Sequence, residues 1–387
     1  MEELFDMLQD DTQSLWVNPQ SSVRRLSRMP SPTTFFKDYV STSTPVIIEG
    51  GAASWNAAKS WDLESLCRAN PELEVTVDYT PDGRGDCVVD LDANNQVLGK
   101  VESGSDGSGG GSGMVFVKPE ERRLTFQAFA EGLLAFNDRE GDPEPHGAGF
   151  GVPYLSHQND SLRLEFPGLM ADVEPFLHLA REAFGNEPDA VNLWIGDERS
   201  MSSVHKDHYE NMYCVLRGEK QFTLLPPSDV LFLYEQEYPQ GRYRQRDDRN
   251  GFEVLMEENT VSWIPVDPAC PDLSRYPLFR YASPVQCNVG PGDILYLPAL
   301  WYHRVAQKGI TIAVNYWHDM QFDFKYVYYR FLQALATKRT LLPSQTGGPL
   351  DTSSVGVLHF MESTESTTEG AGREEEKRST SFGVAER

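Results

Sequence analysis

The residues best suited to chemistry lie in two short stretches. Ser203-Val-His-Lys-Asp-His-Tyr-Glu contains His205-x-Asp207, and Leu297-Pro-Ala-Leu-Trp-Tyr-His303 brings a further histidine after a Pro291-Gly292-Asp293 turn and a strand. Residues two apart in a strand, or at its end, point to the same side. An imidazole nitrogen from His205 and a carboxylate oxygen from Asp207 can therefore reach one metal ion. With His303 as the third ligand they form the two-histidine, one-carboxylate facial set suited to non-haem Fe(II), which leaves three positions open for a bidentate cosubstrate and O₂. His208-x-Glu210 has the same spacing. Parity places His205, Asp207, Asn211 and Tyr213 on one face of an idealised strand and His208 and Glu210 on the other, so the residues alone leave both pairs open. Lys220, after Arg217-Gly218-Glu219, adds a cation. 2-Oxoglutarate chelates iron through its C1 carboxylate and 2-oxo group, and its C5 carboxylate needs a positive charge inside the fold. The alternative for Lys220 is a solvated strand lysine.

The elements that must position these residues are mostly strands. Between 150 and 320 short apolar runs recur, punctuated by glycine and proline: Ala190–Ile195, Tyr213–Leu216, Gln221–Leu225, Ile294–Leu297 and Ile310–Trp317. This pattern predicts a mainly β domain with flanking helices, a sandwich or jelly roll. Ser31 followed by Pro32 suits a helix start, with a helix over Pro32–Tyr39 running into a strand over Thr44–Gly50. Short helices are expected over Trp61–Ala69 and Thr125–Phe136, strands over Leu73–Asp78 and Met114–Val117, and a closing helix over 321–337. The organisation read from this is an N-terminal segment (1–30), one domain (31–338) carrying a flexible Gly/Ser loop at about 91–114, and a disordered tail (339–387). Residues 229–290 form a long excursion between core strands. It includes Tyr243-Arg-Gln-Arg-Asp-Asp-Arg and Trp263-Ile-Pro-Val-Asp-Pro, and part of it is expected to line a substrate entrance, tested by truncating Tyr243–Asn250, with a packed insertion as the alternative.

Composition narrows the function. The net charge of −24, with no Lys/Arg run longer than two, argues against nucleic-acid binding. It suits either a basic protein partner or plain solubility. Five scattered cysteines without a C-x-x-C pair make neither a disulfide framework nor a zinc site and fit a reducing compartment. The acidic N-terminus lacks a secretory pattern, and no apolar run is long enough to cross a bilayer. The expectation is a cytoplasmic or nuclear protein that binds no membrane.

Several motifs together resemble the JmjC-domain oxygenases. They are Val191-Asn-Leu-Trp-Ile-Gly, the stretch from His205 to Val215, Gly218-Glu-Lys-Gln-Phe, Leu225-Pro-Pro-Ser-Asp229, Gly292-Asp-Ile-Leu-Tyr-Leu-Pro-Ala-Leu-Trp-Tyr-His303 and Ala313-Val-Asn-Tyr-Trp317. Thr80-Pro-Asp-Gly and Phe116-Val-Lys-Pro-Glu-Glu-Arg-Arg-Leu are similar to the stand-alone subfamily of bifunctional peptidases and (3S)-lysyl hydroxylases. The resemblance runs in order from about 30 to 335. It implies a double-stranded β-helix (jelly roll, cupin-like) and a dioxygenase using Fe(II), 2-oxoglutarate and O₂. It also implies iron ligation by His205, Asp207 and His303, which chooses that pair over His208 and Glu210. Lys220 and Tyr154 match positions that hold the C5 carboxylate. Ser202 stands where the resembled proteins have threonine, keeping the hydroxyl and losing the methyl. Asn211, Tyr213 and Asn315 match pocket-lining positions, although Tyr213 equally suits core packing. The implied reaction is hydroxylation of a protein lysine, with developmentally regulated GTP-binding proteins as partners and a homodimer as one assembly. Histone lysine demethylation, peptidase activity and a non-catalytic binding module are the competing readings. The chain shows no zinc-reader Cys/His cluster and no H-E-x-x-H helix.

Overall fold

Two long strands run through the whole core. Tyr209–Leu225 and Tyr302–Asp319 pair antiparallel, from Tyr209 opposite Asp319 to Leu225 opposite Tyr302. A computed structural model of the chain describes residues 2–16, 22–92, 97, 113–137, 151–248 and 251–340. The heart of the expected Gly/Ser loop and the expected tail beyond 340 lie outside these residues.

The sequence reading splits the first long strand at Arg217-Gly218-Glu219, as a turn between two strands. The structure instead keeps one strand with a bulge there. Gly218 takes φ 64°, and a Cβ at this position would meet the Ile310 carbonyl oxygen at 2.5 Å. A bulge needing φ > 0 and a close backbone neighbour is a place for glycine. The bulge also switches parity. Before it, Asn211, Tyr213 and Val215 face inward; after it, Lys220, Phe222 and Leu224 do. Met212, Cys214 and Leu216 pack outward against the helical layer.

One end of this ladder is flanked by Ala190–Gly196 on one side and by Ile294–Leu297, Val46–Ile48 and Arg24–Leu26 on the other. The other end is flanked by Met201–His205 and Val285–Val289. The bent ladder thus serves both sheets of a cupin-like jelly roll, the architecture that the short apolar runs predict. Its interior is apolar where it is not the site: Val215, Phe222, Leu224, Val289 and Leu295 are all buried.

Helices cover one outer face. Ser31 Oγ accepts from Thr34 N at 3.2 Å to start the helix at Pro32, and Asp62 caps Leu63–Ala69 in the same way. Phe35, Trp61, Phe126, Phe129 and Phe184 fill this layer. The terminal helices, Glu2–Trp16 and Phe324–Thr340, share a second apolar cluster with Phe5, Phe232, Tyr281, Tyr302 and Tyr329. The excursion after Leu225 folds into a hairpin, Gln236–Gln245 with Phe252–Trp263, which joins Met114–Lys118 and Cys87–Asp90 in a four-stranded sheet. The two strands flanking the Gly/Ser stretch therefore pair directly with each other.

Candidate metal centre

His205 ends the strand Met201–His205, Asp207 lies in the short break before Tyr209, and His303 is the second residue of its own strand, directly opposite His205. One ligand atom from each lies within 4.8 Å of the others. His303 Nε2 is 3.6 Å from Asp207 Oδ2, and the two imidazole centroids are 4.3 Å apart. His205 Nδ1 lies 2.8 Å from the Ser203 carbonyl oxygen, and His303 Nδ1 lies 3.0 Å from that of Trp301. A carbonyl only accepts, so each ring carries a proton on Nδ1 and leaves Nε2 as the ligating atom, that of His303 facing Asp207. Burial and the neighbouring His205 push His303 down to about 4, against the opposing pull of Asp207 and the Trp301 carbonyl, which keeps the ring in its neutral, ligating form. Two imidazoles and a carboxylate converging on one point fit a divalent first-row metal.

The competing pair points elsewhere. Glu210 accepts from Tyr296 Oη at 2.8 Å and from Ala299 N at 3.2 Å, and His208 packs against Phe322 and Tyr326. Among the described residues, His205, Asp207 and His303 form the one metal-capable group.

A pocket opens in front of the three residues. Its walls include Tyr154, Ser202, Asn211, Tyr213 and Asn315, all singled out from sequence. Trp194, Trp317 and Phe222 complete its apolar surface. Trp194 Nε1 donates to Asn315 Oδ1 at 2.8 Å, and Asn315 Nδ2 donates to Asn211 Oδ1 at 3.2 Å. An indole can only donate, so this chain fixes both amides and leaves the Asn211 NH₂ for the pocket.

Lys220 lies behind this wall rather than on it. It is fully buried, and its Nζ donates to Tyr154 Oη at 3.0 Å and to Gln307 Oε1 at 2.5 Å. Gln307 is held in turn, its Nε2 on the Ser200 carbonyl and its Oε1 accepting from Thr311. Among the described residues no carboxylate pairs with Lys220. Desolvation pushes its pKa well below the ordinary lysine value. An ammonium buried among neutral partners is poised for an anion, and the Tyr154 hydroxyl hydrogen remains available beside it.

Of the two stretches singled out in the excursion, the one at Trp263 meets the site. None of Tyr243–Asp248 lines the pocket, and Tyr243 is buried in the small apolar cluster with Cys87 and Val117. Trp263, at the far end of the hairpin, lies parallel to the His205 ring at 6.1 Å and donates to Ser203 Oγ. Gln307, Thr311 and Gly196 were not legible as site residues, and Gln307 has no spacing partner.

Comparison with known proteins agrees with this geometry. Residues 32–324 match the family described as Cupin-like domain. The human bifunctional peptidase and (3S)-lysyl hydroxylase JMJD7 is 38% identical over 81% of this chain and 89% of its own length. JmjC domain-containing protein E of Dictyostelium discoideum is 36% identical over 80% and 88%, and the lysine-specific demethylase JMJ32 of Arabidopsis thaliana is 37% identical over 83% and 89%. With the jelly roll and the His-Asp-His group already in place, the chain belongs to the cupin-like JmjC oxygenases.

Proposed function

We propose that this protein is an Fe(II)- and 2-oxoglutarate-dependent protein hydroxylase acting on C-3 of a lysine side chain. The observation that carries the reading is a pocket lined by His205, Asp207 and His303 whose Tyr154 wall is backed by a buried Lys220 with no carboxylate partner among the described residues. The metal set alone would suit many oxidations; the cation behind Tyr154 asks for a dicarboxylate cosubstrate.

Fe(II) with 2-oxoglutarate and O₂ supplies the power to insert one oxygen atom into a C–H bond, releasing succinate and CO₂. In this assignment His205 and His303 hold the metal through Nε2 and Asp207 through its carboxylate. Lys220 and the Tyr154 hydroxyl bind the C5 carboxylate, and Ser202 adds a hydroxyl on the same wall. Asn211, oriented through Asn315, would offer an N–H to a ligand in the pocket. Tyr213 and Trp194 keep the floor apolar and exclude water. The oxygenase domain spans 31–338. The lysine reading draws on the activity named for the human relative. We place the enzyme in the cytoplasm or nucleus, with a protein substrate of the developmentally regulated GTP-binding class. The demethylase reading is favoured by the name of the Arabidopsis relative; it uses the same site on an N-methyl group.

A turnover assay separates these readings. Purified protein with Fe(II), ascorbate and 2-oxoglutarate is offered lysine and methyl-lysine peptides, and succinate and product masses are measured. A gain of one oxygen on unmodified lysine is expected. Loss of a methylene mass from methyl-lysine would replace hydroxylation with demethylation. Equal iron binding by wild type and Asp207→Ala would remove the ligand assignment itself.

A further inference from the structure

The residues that alternate with the metal-capable ones converge on a single carboxylate. Lys206 sits between His205 and Asp207, and Tyr302 immediately precedes His303. Their neighbours face the pocket, so Lys206 and Tyr302 project behind it. There Lys206 Nζ lies 2.7 Å from Glu235 Oε1, and Tyr302 Oη donates to Glu235 Oε2 at 3.2 Å. We propose that Glu235 is a positioning residue of the metal centre, a rear clamp that fixes the segment bearing His205 and Asp207 against the segment bearing His303. This rests on the ligand assignment above.

The surroundings suit a clamp. Glu235 is 5% exposed, and its remaining capacity is filled by Ser262 Oγ at 3.3 Å and Gln333 Nε2 at 3.1 Å. The two segments therefore join the hairpin and the C-terminal helix in one network. Tyr329 Oη lies 3.0 Å from Tyr302 Oη; since Tyr302 gives its hydrogen to Glu235, it accepts from Tyr329. Lys206 Nζ also lies 5.3 Å from the Tyr302 ring centroid and 6.0 Å from that of Tyr329, so the ammonium is held by rings as well as by charge. The chain bends sharply to deliver the carboxylate: Tyr234, directly before it, takes φ 56°, an unfavourable conformation for a bulky residue. Removing either donor frees one ligand segment to drift relative to the other while all three ligands remain present.

The test uses metal-free full-length protein titrated with Co(II) and followed by its visible absorption. Wild type is expected to bind and Asp207→Ala to fail. Glu235→Gln, which keeps shape and removes charge, is expected to bind about 10–100-fold more weakly with altered bands, the range for loss of a partner supporting metal ligands. Tyr302→Phe removes one hydroxyl, keeps the ring, and is expected to weaken binding about tenfold; it decides the matter if Glu235→Gln does not fold. A carboxylate with a merely structural role would lower Tm and leave the Co(II) Kd and spectrum of the folded protein unchanged. Wild-type Kd and bands in folded Tyr302→Phe and, where it folds, Glu235→Gln overturn the clamp while leaving the ligand assignment intact. Absence of binding by wild type, or equal binding by Asp207→Ala, removes the assignment and the clamp with it.

Discussion

Lys206 and Lys220 are both withdrawn from water, but their surroundings differ in kind. Lys206 meets a carboxylate, Glu235, at 2.7 Å with aromatic rings beside it. Among the described residues Lys220 meets a tyrosine hydroxyl, that tyrosine's ring and an amide oxygen, and no carboxylate. The first is a completed ion pair, whose energy already belongs to the folded protein. The second is a charge whose desolvation is uncompensated, and its compensation has to come from a ligand. Burial is therefore not enough to classify a lysine; the presence or absence of its counter-charge separates structure from binding.

Opposite responses to one substitution would break or sharpen this contrast. Lys206→Met strands Glu235 as an unpaired buried anion and is expected to destabilise the fold by about 3–5 kcal/mol, read as a lowered denaturant midpoint. Lys220→Met keeps much of the volume and removes an uncompensated charge, so the metal-free protein should unfold at a higher temperature than wild type. The same variant should lose about 2–5 kcal/mol of cosubstrate interaction, a fall of thirtyfold or more in kcat/KM for 2-oxoglutarate. If Lys220→Met is as destabilised as Lys206→Met, Lys220 is a structural residue and the dicarboxylate assignment loses its basis.

The contrast also shows what sequence can and cannot say. Period-two spacing made His205-x-Asp207 legible as one of two candidate pairs, His208-x-Glu210 being the other, and the family resemblance chose between them. The runs at Ala190–Ile195 and Ile294–Leu297 matched strands closely because each is short and bounded by glycine or proline. The inward direction of Lys220 could not be obtained by counting from Tyr213, since the bulge at Gly218 reverses the parity. A glycine at φ > 0 serves a turn and a bulge equally well, and the pairing with Tyr302–Asp319 on both sides of Gly218 shows that a bulge is present. Glu235 and Gln307 lacked any local pattern. Each acts through a partner distant in sequence, and one chain without its fold does not reveal such pairings.

Asp229 sharpens the contrast from the acidic side. It is 1% exposed, accepts from Ser283 N at 2.7 Å, and has no cation beside it among the described residues. Unlike Lys220, which backs the Tyr154 wall, it is not among the residues lining the pocket in front of His205, Asp207 and His303. Burial pushes its pKa up to about 8, against the lowering effect of the Ser283 N–H. The unfolded chain ionises near the ordinary value of 3.8, so stability from the neutral carboxyl is complete below that pH and is lost as pH rises to about 8. Asp229→Asn lacks this loss. Its stability relative to wild type should climb between pH 4 and 8 and then level, by roughly 6 kcal/mol in all for a displacement from 3.8 to about 8, in urea midpoints across that range. A flat difference would show Asp229 ionised in the fold and hence paired. Cosubstrate KM should not change, because an uncompensated charge away from the pocket has no ligand to meet.

The smallest effect probes how closely the neutral partners of Lys220 must be placed. Gly196 ends the strand beside Tyr154 and Gln307, and a Cβ there would lie 2.7 Å from Tyr154 Cδ2 and 2.8 Å from Gln307 Nε2. Both contacts are too short, so Gly196→Ala must displace the tyrosine ring, the amide or both. Neither touches the metal ligands, and Lys220 keeps its charge. If Lys220 and Tyr154 bind the C5 carboxylate as a pair, KM for 2-oxoglutarate should rise about tenfold, roughly 1.4 kcal/mol, with kcat nearly unchanged because the loss falls on ground state and transition state alike. A fall in kcat at constant KM would instead mean that Tyr154 positions the target C–H bond. The lysine would then act as a lone charge, with geometry that the surrounding hydrogen bonds do not need to hold.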